Sequence, residues 1–424
     1  MSAMATTVVS IAESCAAAKR ASRTLATLGS GVRDAALEAI AVALIARVDE
    51  ILEANARDLE AGHGSGLSEA LIDRLALDQR RVAEMAAGVR KIAALPDPVG
   101  EVIDGSTLRN GLQLRKLRVP LGVIAVVYEA RPNVTIDATA LCLKSGNAVV
   151  LRGSSSAAHS NAVLAGVASA AATEAGLPEG AMTLIAGGGR EELAEIATQA
   201  GVVDLIIPRG GEGLKSALKG VATVPVIYAA SGNCHVYVDA SADLAAAREI
   251  VLNAKVQRPS ACNAAETLLV HAEVAAAFLP AALQSLSDAG VRLHGDDRAR
   301  AAAPGVPIDA ATDADWDTEY LALELAVAVV DGTDEAISHI NAHGSGHSEA
   351  IVTNATSAAR AFRLGVDAAC VYVNASTRFT DGGEFGMGAE IGNSTQKLHA
   401  RGPIGLRELC TSKYLVEGAG HIRP

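Results

Sequence analysis

The feature that most constrains the fold is a regular alternation of apolar runs and helical segments that starts at Gly122. The run Gly122–Val127 is continuously apolar, which is typical of a strand buried on both faces of a parallel sheet. The same alternation predicts strands at 148–151, 182–185, 204–207 and 224–228, and helices at 157–175, 191–200 and 213–219. It indicates the βαβ topology of a doubly wound nucleotide-binding sheet.

The flanking segments have different periods. Residues 10–95 show apolar positions at helical spacing, and Asn110-Gly111 lies between alternating residues, which predicts a β-hairpin. A second α/β series begins near His235. Its strands are predicted at 267–270, 326–330, 350–353 and 370–373, with a further strand at 411–416. The chain is therefore predicted to be an α/β protein of more than one domain.

Composition restricts the possible functions. Half of the 424 residues are hydrophobic but only 3% are aromatic, and the net charge is −12. An acidic chain is a poor candidate for broad nucleic-acid binding or for adhesion to an acidic membrane. Its apolar runs are shorter than a membrane helix requires, and the first residues lack the pattern of a secretory signal. We expect a cytoplasmic protein.

The six cysteines are scattered, without a CxxC pair, and this favours a reducing compartment over a disulfide framework. Cys262 differs from the others in its context. It follows an apolar helical stretch and Pro259, and a strand-like segment comes after it. A thiol on such a turn is held in place yet reachable, and Lys255, Arg258 and helix-end amides near it favour the thiolate. Cys262 is thus a candidate nucleophile for acyl or aldehyde transfer, whereas Cys15, Cys142 and Cys370 are expected to be buried hydrophobes.

Two basic, glycine-containing turns follow predicted strands: Arg152-Gly153-Ser154-Ser155 and Arg209-Gly210-Gly211. Small residues let a ligand approach the backbone, and the helix after each turn offers unpaired N–H groups to an anion. Either turn alone would more often be an ordinary loop. Two in one sheet favour a dinucleotide site. Gly187-Gly188-Gly189-Arg190 lacks the spacing of a phosphate fingerprint and is interpreted as a plain turn.

Metal and serine chemistry have little support. His339, His343 and His347 are spaced by four, but Gly344 and Gly346 interrupt helical geometry, so we interpret them as loop histidines. The sequence contains no HExxH motif and no serine elbow flanked by a strand and a helix.

Four motifs carry a family resemblance. They are Gln257-Arg258-Pro259-Ser260-Ala261-Cys262-Asn263, Glu129-Ala130-Arg131-Pro132-Asn133-Val134-Thr135, the run 373–383 (VNASTRFTDGG) and the run 394–403 (STQKLHARGP). Together they resemble the γ-glutamyl phosphate reductases, a branch of the aldehyde dehydrogenase superfamily. The resemblance spans essentially the whole chain, and the last two motifs are specific to this branch.

The resemblance implies an aldehyde dehydrogenase-like fold with three parts. It assigns 1–105 and 122–229 to a Rossmann-type dinucleotide-binding domain, 230–404 to an α/β catalytic domain, and 106–121 with 405–424 to a small β oligomerisation region. It also implies a homo-oligomer, as a dimer or a dimer of dimers. The length suits the reductase alone, so a glutamate 5-kinase is expected as a functional partner rather than as a fused domain.

The resemblance also implies residue roles. Cys262 corresponds to the nucleophile, the turn 152–155 to the adenosine-binding turn, and 209–211 to the turn that faces the pyrophosphate. Glu319 corresponds to the acid that holds the nicotinamide ribose, and Lys144 is included among the cofactor-binding residues. Candidate substrate-binding residues are Arg131, Arg378, His399 and Arg401, because they lie in family-specific irregular loops.

Departures from the superfamily pattern carry information. Hydrolytic members have a general-base glutamate where this chain has Ala229, and a thioester that is exchanged with phosphate needs no such base. This points to an acyl phosphate substrate. Ser155 replaces a carboxylate that would repel a 2′-phosphate, and Arg152 could attract one, so NADP(H) is expected as cofactor. The superfamily's oxyanion asparagine aligns with Ala130, which leaves Asn133 as a candidate for that role.

The expected reaction is the NADPH-dependent reduction of L-glutamyl 5-phosphate to L-glutamate 5-semialdehyde and phosphate through a Cys262 thioester, the second step of proline biosynthesis from glutamate. Near rivals are a hydrolytic aldehyde dehydrogenase or a reductase of another acyl phosphate. A more distant rival is a catalytically silent or nucleic-acid-binding relative, against which the cysteine turn and the acidic charge count.

Overall fold

The computed structural model describes residues 10–187, 189–228 and 231–423. They divide into two units, one within Met1–Tyr228, Met387–Gly392 and Ile404–Pro424, the other within Ala229–Gly386 and Asn393–Pro403. The stretch Met387–Gly392, which the sequence analysis assigned to the catalytic domain, groups with the first unit. The functions predicted for the three parts stay predictions.

The first unit opens with a helical layer, as the spacing of apolar residues predicted. Helix α1 begins at a capping box in which the Ser10 hydroxyl accepts from the Glu13 N–H and the Glu13 carboxylate accepts from the Ser10 N–H. Within the predicted helical segment 10–95, Arg47 separates two consecutive helices. The helices of this layer are α1 Ile11–Leu25, α2 Ser30–Ala46, α3 Val48–Gly64, α4 Glu69–Leu75 and α5 Gln79–Ala93.

A four-stranded parallel sheet follows, in the order β5-β4-β3-β6. All six residues of β3 are buried, as its continuous apolar sequence requires. The predicted strand 224–228 is reduced to an isolated bridge between Val226 and Ile206. The strands are β3 Val123–Tyr128, β4 Ala148–Arg152, β5 Met182–Leu184 and β6 Leu205–Arg209, and the helices are α6 Pro132–Lys144, α7 Ala158–Glu174, α8 Arg190–Ala197 and α9 Glu212–Val221.

The second unit contains a seven-stranded sheet in the order β10-β9-β11-β8-β7-β12-β13, with parallel pairing throughout. Its strands are β7 Cys234–Val238, β8 Ala265–His271, β9 Arg292–Gly295, β10 Asp309–Ala310, β11 Glu324–Val330, β12 Ser348–Val352 and β13 Cys370–Val373. Its helices are α10 Leu244–Val256, α11 Ala272–Asp288, α12 Asp297–Ala302, α13 Asp313–Trp316, α14 Thr333–His343 and α15 Thr356–Gly365.

This sheet is covered on both faces. Val236 and Val238 of β7 belong to a buried cluster with apolar residues of α10 and α11, whereas Tyr237 between them belongs to a cluster with residues of α14 and α15. Alternate residues of one strand thus enter two separate cores, which is the arrangement of a doubly wound α/β fold. Helix α14 extends to His343 and stops at Gly344. The prediction of loop histidines was therefore wrong for His339 and His343, since the glycines end the helix after them.

A separate antiparallel sheet of the first unit combines β1 Val102–Thr107, β2 Gln113–Pro120 and β16 Cys410–Glu417 in the order β1-β2-β16. The predicted Asn-Gly turn is confirmed, with Gly111 at φ +90°. In the second unit a short antiparallel pair joins β14 Asn393–Ser394 to β15 Gly402–Pro403. Single 3₁₀ turns lie at Ser155–Ala157 and Thr377–Phe379. None of the helices that the structure describes has both the length and the apolar character of a membrane span.

Candidate active site

In the first unit, the two basic turns singled out in the sequence follow strands of one sheet. Parallel pairing aligns Val127 with Arg152 and Tyr128 with Arg209, so β3, β4 and β6 end at the same edge. Ligands of open α/β sheets bind outside the carboxyl ends of the strands. The residues at this edge therefore form the candidate cofactor region.

The turn after β4 is held tightly. A Cβ on Gly153 would lie 2.1 Å from the Asn161 side-chain nitrogen, so only glycine fits there. The Ser154 hydroxyl accepts a hydrogen bond from the Ala130 N–H at 3.1 Å, which ties this turn to the one after β3. Ser155, at the start of a 3₁₀ turn, is exposed. An exposed hydroxyl at this position is open to a ligand.

Arg152 is buried, and its Nη2 donates to the Gly189 carbonyl oxygen at 2.6 Å. The Arg152 Nε is also buried and has no hydrogen-bond partner among the described residues. Burial lowers the pKa of Arg152, while the negative charge of Glu192 opposes that shift. Arg152 thus faces the glycine segment interpreted as a plain turn, and this contact was not anticipated. Gly188 lies outside the described residues.

The turn after β6 already holds an anion. Gly211 is the N-cap of α9, and its N–H donates to the Glu129 carboxylate at 3.0 Å. A Cβ on Gly210 would lie 2.5 Å from the same carboxylate oxygen. Helix N-termini attract anions because their first N–H groups are unpaired and carry partial positive charge. The bound carboxylate shows that the turn suits an anionic group, so the edge fits the pyrophosphate of a dinucleotide.

Lys144 is not brought to this edge. It ends α6 and lies just before β4, hence at the opposite end of the strands. Its ammonium donates to the Asp34 carboxylate at 2.6 Å and to the Ala93 carbonyl oxygen at 2.7 Å. A buried lysine with two such partners joins α6 to the helical layer, and a cofactor-binding role of Lys144 stays a prediction.

Arg131 and Asn133 follow β3 at the same edge as the two turns. Asn133 lies in the first turn of α6 with an exposed side chain, and its Nδ2 donates to the Asp137 carboxylate at 2.9 Å. Burial raises the pKa of Asp137 to about 6, and the Asn133 hydrogen bond and the charge of Arg209 act against that rise. The oxyanion role of Asn133 stays a prediction.

In the second unit, Cys262 lies between α10 and β8, on the turn predicted from the sequence. It is partly exposed, whereas Cys15, Cys142, Cys234, Cys370 and Cys410 are all buried. Burial raises the pKa of Cys142, Cys234 and Cys410, so these thiols are held neutral. The distinction drawn between Cys262 and the buried cysteines is confirmed.

The backbone around Cys262 is fixed by close packing. A Cβ on Gly232 would lie 1.5 Å from the Cys262 carbonyl oxygen, so the two segments touch only because residue 232 is glycine. The Gly232 N–H donates to the Glu319 carboxylate at 2.6 Å. Glu319 is therefore tied to the segment beside the nucleophile, and its predicted contact with a nicotinamide ribose stays a prediction. Ala229 lies outside the described residues.

A second segment, residues 377–380, is hydrogen-bonded to the cysteine turn. The Asn263 amide donates to the Arg378 and Thr380 carbonyl oxygens at 3.3 and 2.9 Å. In return, the Thr377 hydroxyl donates to the Asn263 carbonyl oxygen at 2.7 Å. Sequence analysis missed Thr377 and Thr380, although both lie within the motif 373–383. Within this motif, Thr377, Arg378 and Thr380 exchange hydrogen bonds with Asn263 and so hold the cysteine turn in place.

Arg378 is the predicted substrate residue that the structure brings to Cys262. Burial lowers the pKa of the Arg378 guanidinium, the positive charge of Arg258 acts in the same direction, and the charges of Cys262 and Asp381 oppose it. The Arg378 Nε donates to the Gln257 side-chain oxygen at 2.8 Å. Arg378 thus interacts with both the thiol and a second guanidinium, and two guanidinium groups close together suit a dianionic group such as a phosphate.

Lys255 and Arg401, the other predicted cations in this unit, form ion pairs of their own. The Lys255 ammonium donates to the Glu266 carboxylate at 2.5 Å in a fully buried pair, so its charge is neutralised and does not serve the thiolate. Arg401 is bound through Nη1 to the Asp367 carboxylate and through Nη2 to the Asp367 carbonyl oxygen, at 2.9 and 3.0 Å. His399 is exposed, with a φ of +67°.

The His339 ring contacts the rings of His235 and His343 in edge-on and tilted arrangements. The His339 ring centroid lies 5.5 Å from that of His235 and 4.7 Å from that of His343. Burial lowers the pKa of both His235 and His339 to about 3, so these two rings are neutral. Within the described part of the chain, no group of three or more potential ligands could hold a metal ion.

Comparison with known proteins defines the class. A model described as the aldehyde dehydrogenase family matches residues 1–312. An acetylating aldehyde dehydrogenase from Geobacillus thermoglucosidasius superposes with a TM-score of 0.69 at 20% identity, over 97% of each chain. That likeness concerns the fold alone. The α/β fold is thus the aldehyde dehydrogenase fold, as expected.

More similar proteins define the branch. The chain is 56% identical to a γ-glutamyl phosphate reductase from Thermobifida fusca, over 96% of this chain and 97% of that protein. The crystal structure of the γ-glutamyl phosphate reductase from Thermotoga maritima matches with a TM-score of 0.95 and 46% identity, over 97% of this chain and 99% of that one. This chain belongs to the aldehyde dehydrogenase family and, within it, to the γ-glutamyl phosphate reductases. It is an oxidoreductase of a family that uses a nicotinamide cofactor.

Proposed function

We propose that this chain reduces L-glutamyl 5-phosphate to L-glutamate 5-semialdehyde and phosphate, with NADPH as reductant, as the second step of proline biosynthesis. The observation that carries the proposal is the environment of Cys262. It is a partly exposed thiol on a fixed turn with Arg378 as an electrostatic neighbour, and Arg258 acts in turn on Arg378. The names of relatives that match nearly the whole chain supply the substrate.

In the first step, the Cys262 thiolate attacks the side-chain carbonyl carbon of the acyl phosphate. A carbon–sulfur bond forms, the carbon–oxygen bond to the phosphate breaks, and the phosphate departs with the bonding electrons. Arg378 and Arg258 stabilise the negative charge that accumulates on the leaving group. Because the backbone of Cys262 is clamped by Gly232 and Asn263, the sulfur needs no reorganisation to reach its target.

When bound, the nicotinamide cofactor supplies the hydride that converts the Cys262 thioester into a thiohemiacetal. Cleavage of the carbon–sulfur bond then releases the aldehyde and restores the thiolate. In the first unit, the residues that would hold the cofactor are those of the two turns at the carboxyl edge, 152–155 and 209–211; a contact of Glu319 with the nicotinamide ribose stays a prediction. The exposed Ser155 in place of a carboxylate, together with Arg152, supports NADP(H) over NAD(H).

Water should not compete with phosphate for the thioester. The sequence has Ala229 where hydrolytic aldehyde dehydrogenases carry the glutamate that activates water. An enzyme that returns its thioester to phosphate needs no general base for water. The alternative, a hydrolytic aldehyde dehydrogenase, would release glutamate instead of an acyl phosphate in the oxidative direction.

The decisive experiment is the reverse reaction. Purified protein is given L-glutamate 5-semialdehyde and NADP or NAD, with and without phosphate or arsenate, and reduced cofactor is followed at its absorbance maximum. We expect oxidation only with phosphate or arsenate, and faster with NADP. Oxidation at the same rate in buffer without either anion would show a hydrolytic enzyme and overturn the proposal.

We also propose that the chain assembles as a homo-oligomer through the sheet β1-β2-β16. All residues of β1 are exposed, including Val102 at 57%, and on β16 Tyr414 and Val416 are exposed as well. Apolar side chains on an exposed sheet mark an interaction surface. Light scattering coupled to gel filtration measures the mass, and a monomer at micromolar concentration would contradict this. The acyl phosphate must come from a glutamate 5-kinase, and that functional link is part of the proposal.

A further inference from the structure

A cavity in the second unit is separate from the Cys262 turn and has charges of its own. Its volume is about 440 Å³, and the residues around it come from the end of α14, from the start of β12 and from the segment between β14 and β15. Its lining includes Ser345, Glu349, Asp367, Thr395, Lys397 and Arg401. This segment is the part of motif 394–403 that the proposed reaction does not use.

One end of the cavity is cationic. Arg401 and Lys397 both donate to the Asp367 carboxylate, at 2.9 and 2.5 Å. The three charges leave one net positive charge at this end. Asp367 and Lys397 are more than half exposed, whereas the Arg401 side chain is 27% exposed. The cluster is therefore open to solvent and suited to a ligand with a single carboxylate.

The other end is a buried carboxyl group. Glu349 is fully buried, and its Oε2 accepts from the His235 N–H at 2.7 Å. Its Oε1 is buried too and has no hydrogen-bond partner among the described residues. A Cβ on Gly344 would lie 3.0 Å from Oε1, so glycine at 344 leaves this oxygen uncovered by a side chain. An unpaired buried oxygen of this kind is costly unless a ligand donates to it.

Burial raises the pKa of Glu349 well above its ordinary value, and the hydrogen bond from the His235 N–H opposes that shift. A ligand ammonium group would favour ionisation and would form a buried ion pair. Phosphate or a simple dicarboxylate offers no donor to Glu349. The pairing of a cationic end with a buried carboxyl end matches a group that carries both an ammonium and a carboxylate.

The cavity does not coincide with the nucleophile. Gly232 packs against the Cys262 carbonyl, and the carbonyl of the next residue, Asn233, accepts from the Ser345 N–H at 3.3 Å. The segment 232–233 thus lies between the cysteine turn and Ser345. A ligand held by Glu349 and Arg401 lies beyond that segment from the Cys262 backbone.

We infer that this cavity binds an α-amino acid, with the carboxylate at Arg401 and Lys397 and the ammonium at Glu349. The occupant is either a free amino acid or the α-amino-acid end of the substrate, and the two sources share this chemistry. For a free amino acid the inference goes beyond the reaction proposed above, for the substrate's own end it rests on that reaction, and its test requires no turnover.

Trp316 provides the measurement. It is the single tryptophan of the chain, its ring centroid lies 5.5 Å from that of His339, and the next residue of α14, Ile340, lines the cavity. Intrinsic fluorescence is titrated with L-glutamate, with glutarate, which lacks the ammonium group, and with inorganic phosphate. We expect saturable binding of L-glutamate, weaker binding of glutarate, and little response to phosphate.

Two variants separate the two ends of the cavity. Arg401→Gln should weaken L-glutamate and glutarate alike by about tenfold, the loss expected for one charge-assisted contact. Glu349→Gln keeps an oxygen that accepts from the His235 N–H but cannot ionise, so it should abolish the preference for L-glutamate over glutarate. Arg363→Gln, at an exposed position of α15, is the matched control and should bind as wild type.

Alkylation of Cys262 by iodoacetamide identifies the source of the amino-acid group. Protection by L-glutamate at saturating concentration indicates the substrate's own end, and unchanged alkylation with retained binding indicates a site for a free amino acid. Circular dichroism confirms that the variants are folded. Absence of L-glutamate binding to wild type, or binding unaffected in both folded variants, would refute the inference.

Discussion

In the two sheets, the candidate functional residues lie at opposite ends of the strands. In the first unit the candidate cofactor residues follow the carboxyl ends of β3, β4 and β6, where helices α6, α7 and α9 begin. In the second unit Cys262 and Asn263 precede β8, at an amino edge, where α10 ends. A helix start presents unpaired N–H groups to an anion, whereas a helix end presents carbonyl groups and partial negative charge.

The consequence is a different source of positive potential in each unit. At the carboxyl edge the Gly211 N–H binds a carboxylate through the backbone alone. At the amino edge the helix that precedes Cys262 ends at Val256, so that helix presents its carbonyl end to this edge. Arginine side chains can supply positive charge there, since Arg378 is in electrostatic contact with both Cys262 and Arg258.

The largest expected effect tests the role of Cys262. Cys262→Ser should lower NADPH-dependent reduction by about 10⁴-fold or more, the usual loss when a nucleophile is removed. NADPH binding, measured by quenching of protein fluorescence, should be unchanged, since residue 262 belongs to neither of the turns proposed to hold the cofactor. The matched control Cys15→Ala removes a fully buried thiol of α1 and should keep its kcat. Substantial turnover in the serine variant would exclude the thioester.

The next largest effect concerns the arginine pair. Arg378→Gln should reduce kcat/KM for the acyl phosphate by about 100-fold, the value of one lost charge-assisted interaction of about 2–3 kcal/mol. Arg258→Gln, at an exposed residue, should cost less. Steady-state kinetics of both variants beside Arg363→Gln measure this. Equal kinetics in Arg378→Gln and the control would mean that the amino edge does not depend on side-chain charge.

A smaller effect of opposite sign is expected at the carboxyl edge. Glu129→Gln removes the negative charge that lies on the Gly211 amide, so the turn becomes more attractive to a pyrophosphate. NADPH should bind about three- to tenfold more tightly, which corresponds to a charge at a helix N-terminus. Isothermal titration of wild type and variant with NADPH and with 2′,5′-ADP measures the change. Weaker binding of both ligands would show that Glu129 orders the turn and does not compete.

The smallest effect is a pH dependence of stability. The pKa of Asp137 is raised by burial from 3.8 to about 6, so between about pH 4 and pH 6 the folded state holds more protons than the unfolded state. The free energy of unfolding must therefore fall as the pH rises through this window. Asp137→Asn should remove that part of the slope. Urea denaturation of wild type and variant at pH 4.5, 5.5 and 7 tests this, and identical slopes would contradict the assignment.

Local patterns predicted much of the fold. The Asn110-Gly111 hairpin, the buried strand β3 and the exposed turn of Cys262 each depend on a few neighbouring residues, and all three are confirmed. The helical end at His343 was missed because two glycines were taken to disrupt the whole histidine segment. Gly344 instead ends a helix that is complete before it.

Long-range partners could not be predicted. Lys144 pairs with Asp34, 110 positions away in sequence, and no local pattern marks that pair. The same applies to Glu129, whose carboxylate occupies the Gly211 amide 82 positions later. Resemblance indicated that Arg378 and Arg401 belong to family-specific loops, but only the tertiary structure shows that the first neighbours Cys262 and the second is held by Asp367.

The hydrogen bonds of Asn263 have a practical consequence for redesign. The Asn263 amide donates to two carbonyl oxygens of the segment 378–380, and the Asn263 carbonyl oxygen accepts from the Thr377 hydroxyl. The cysteine turn and that segment therefore form one structural unit. Exchanging either piece with that of a relative would break bonds at both. A chimera that changes substrate preference should therefore transplant 257–263 and 376–381 together, and the half-exchanged chimeras serve as its controls.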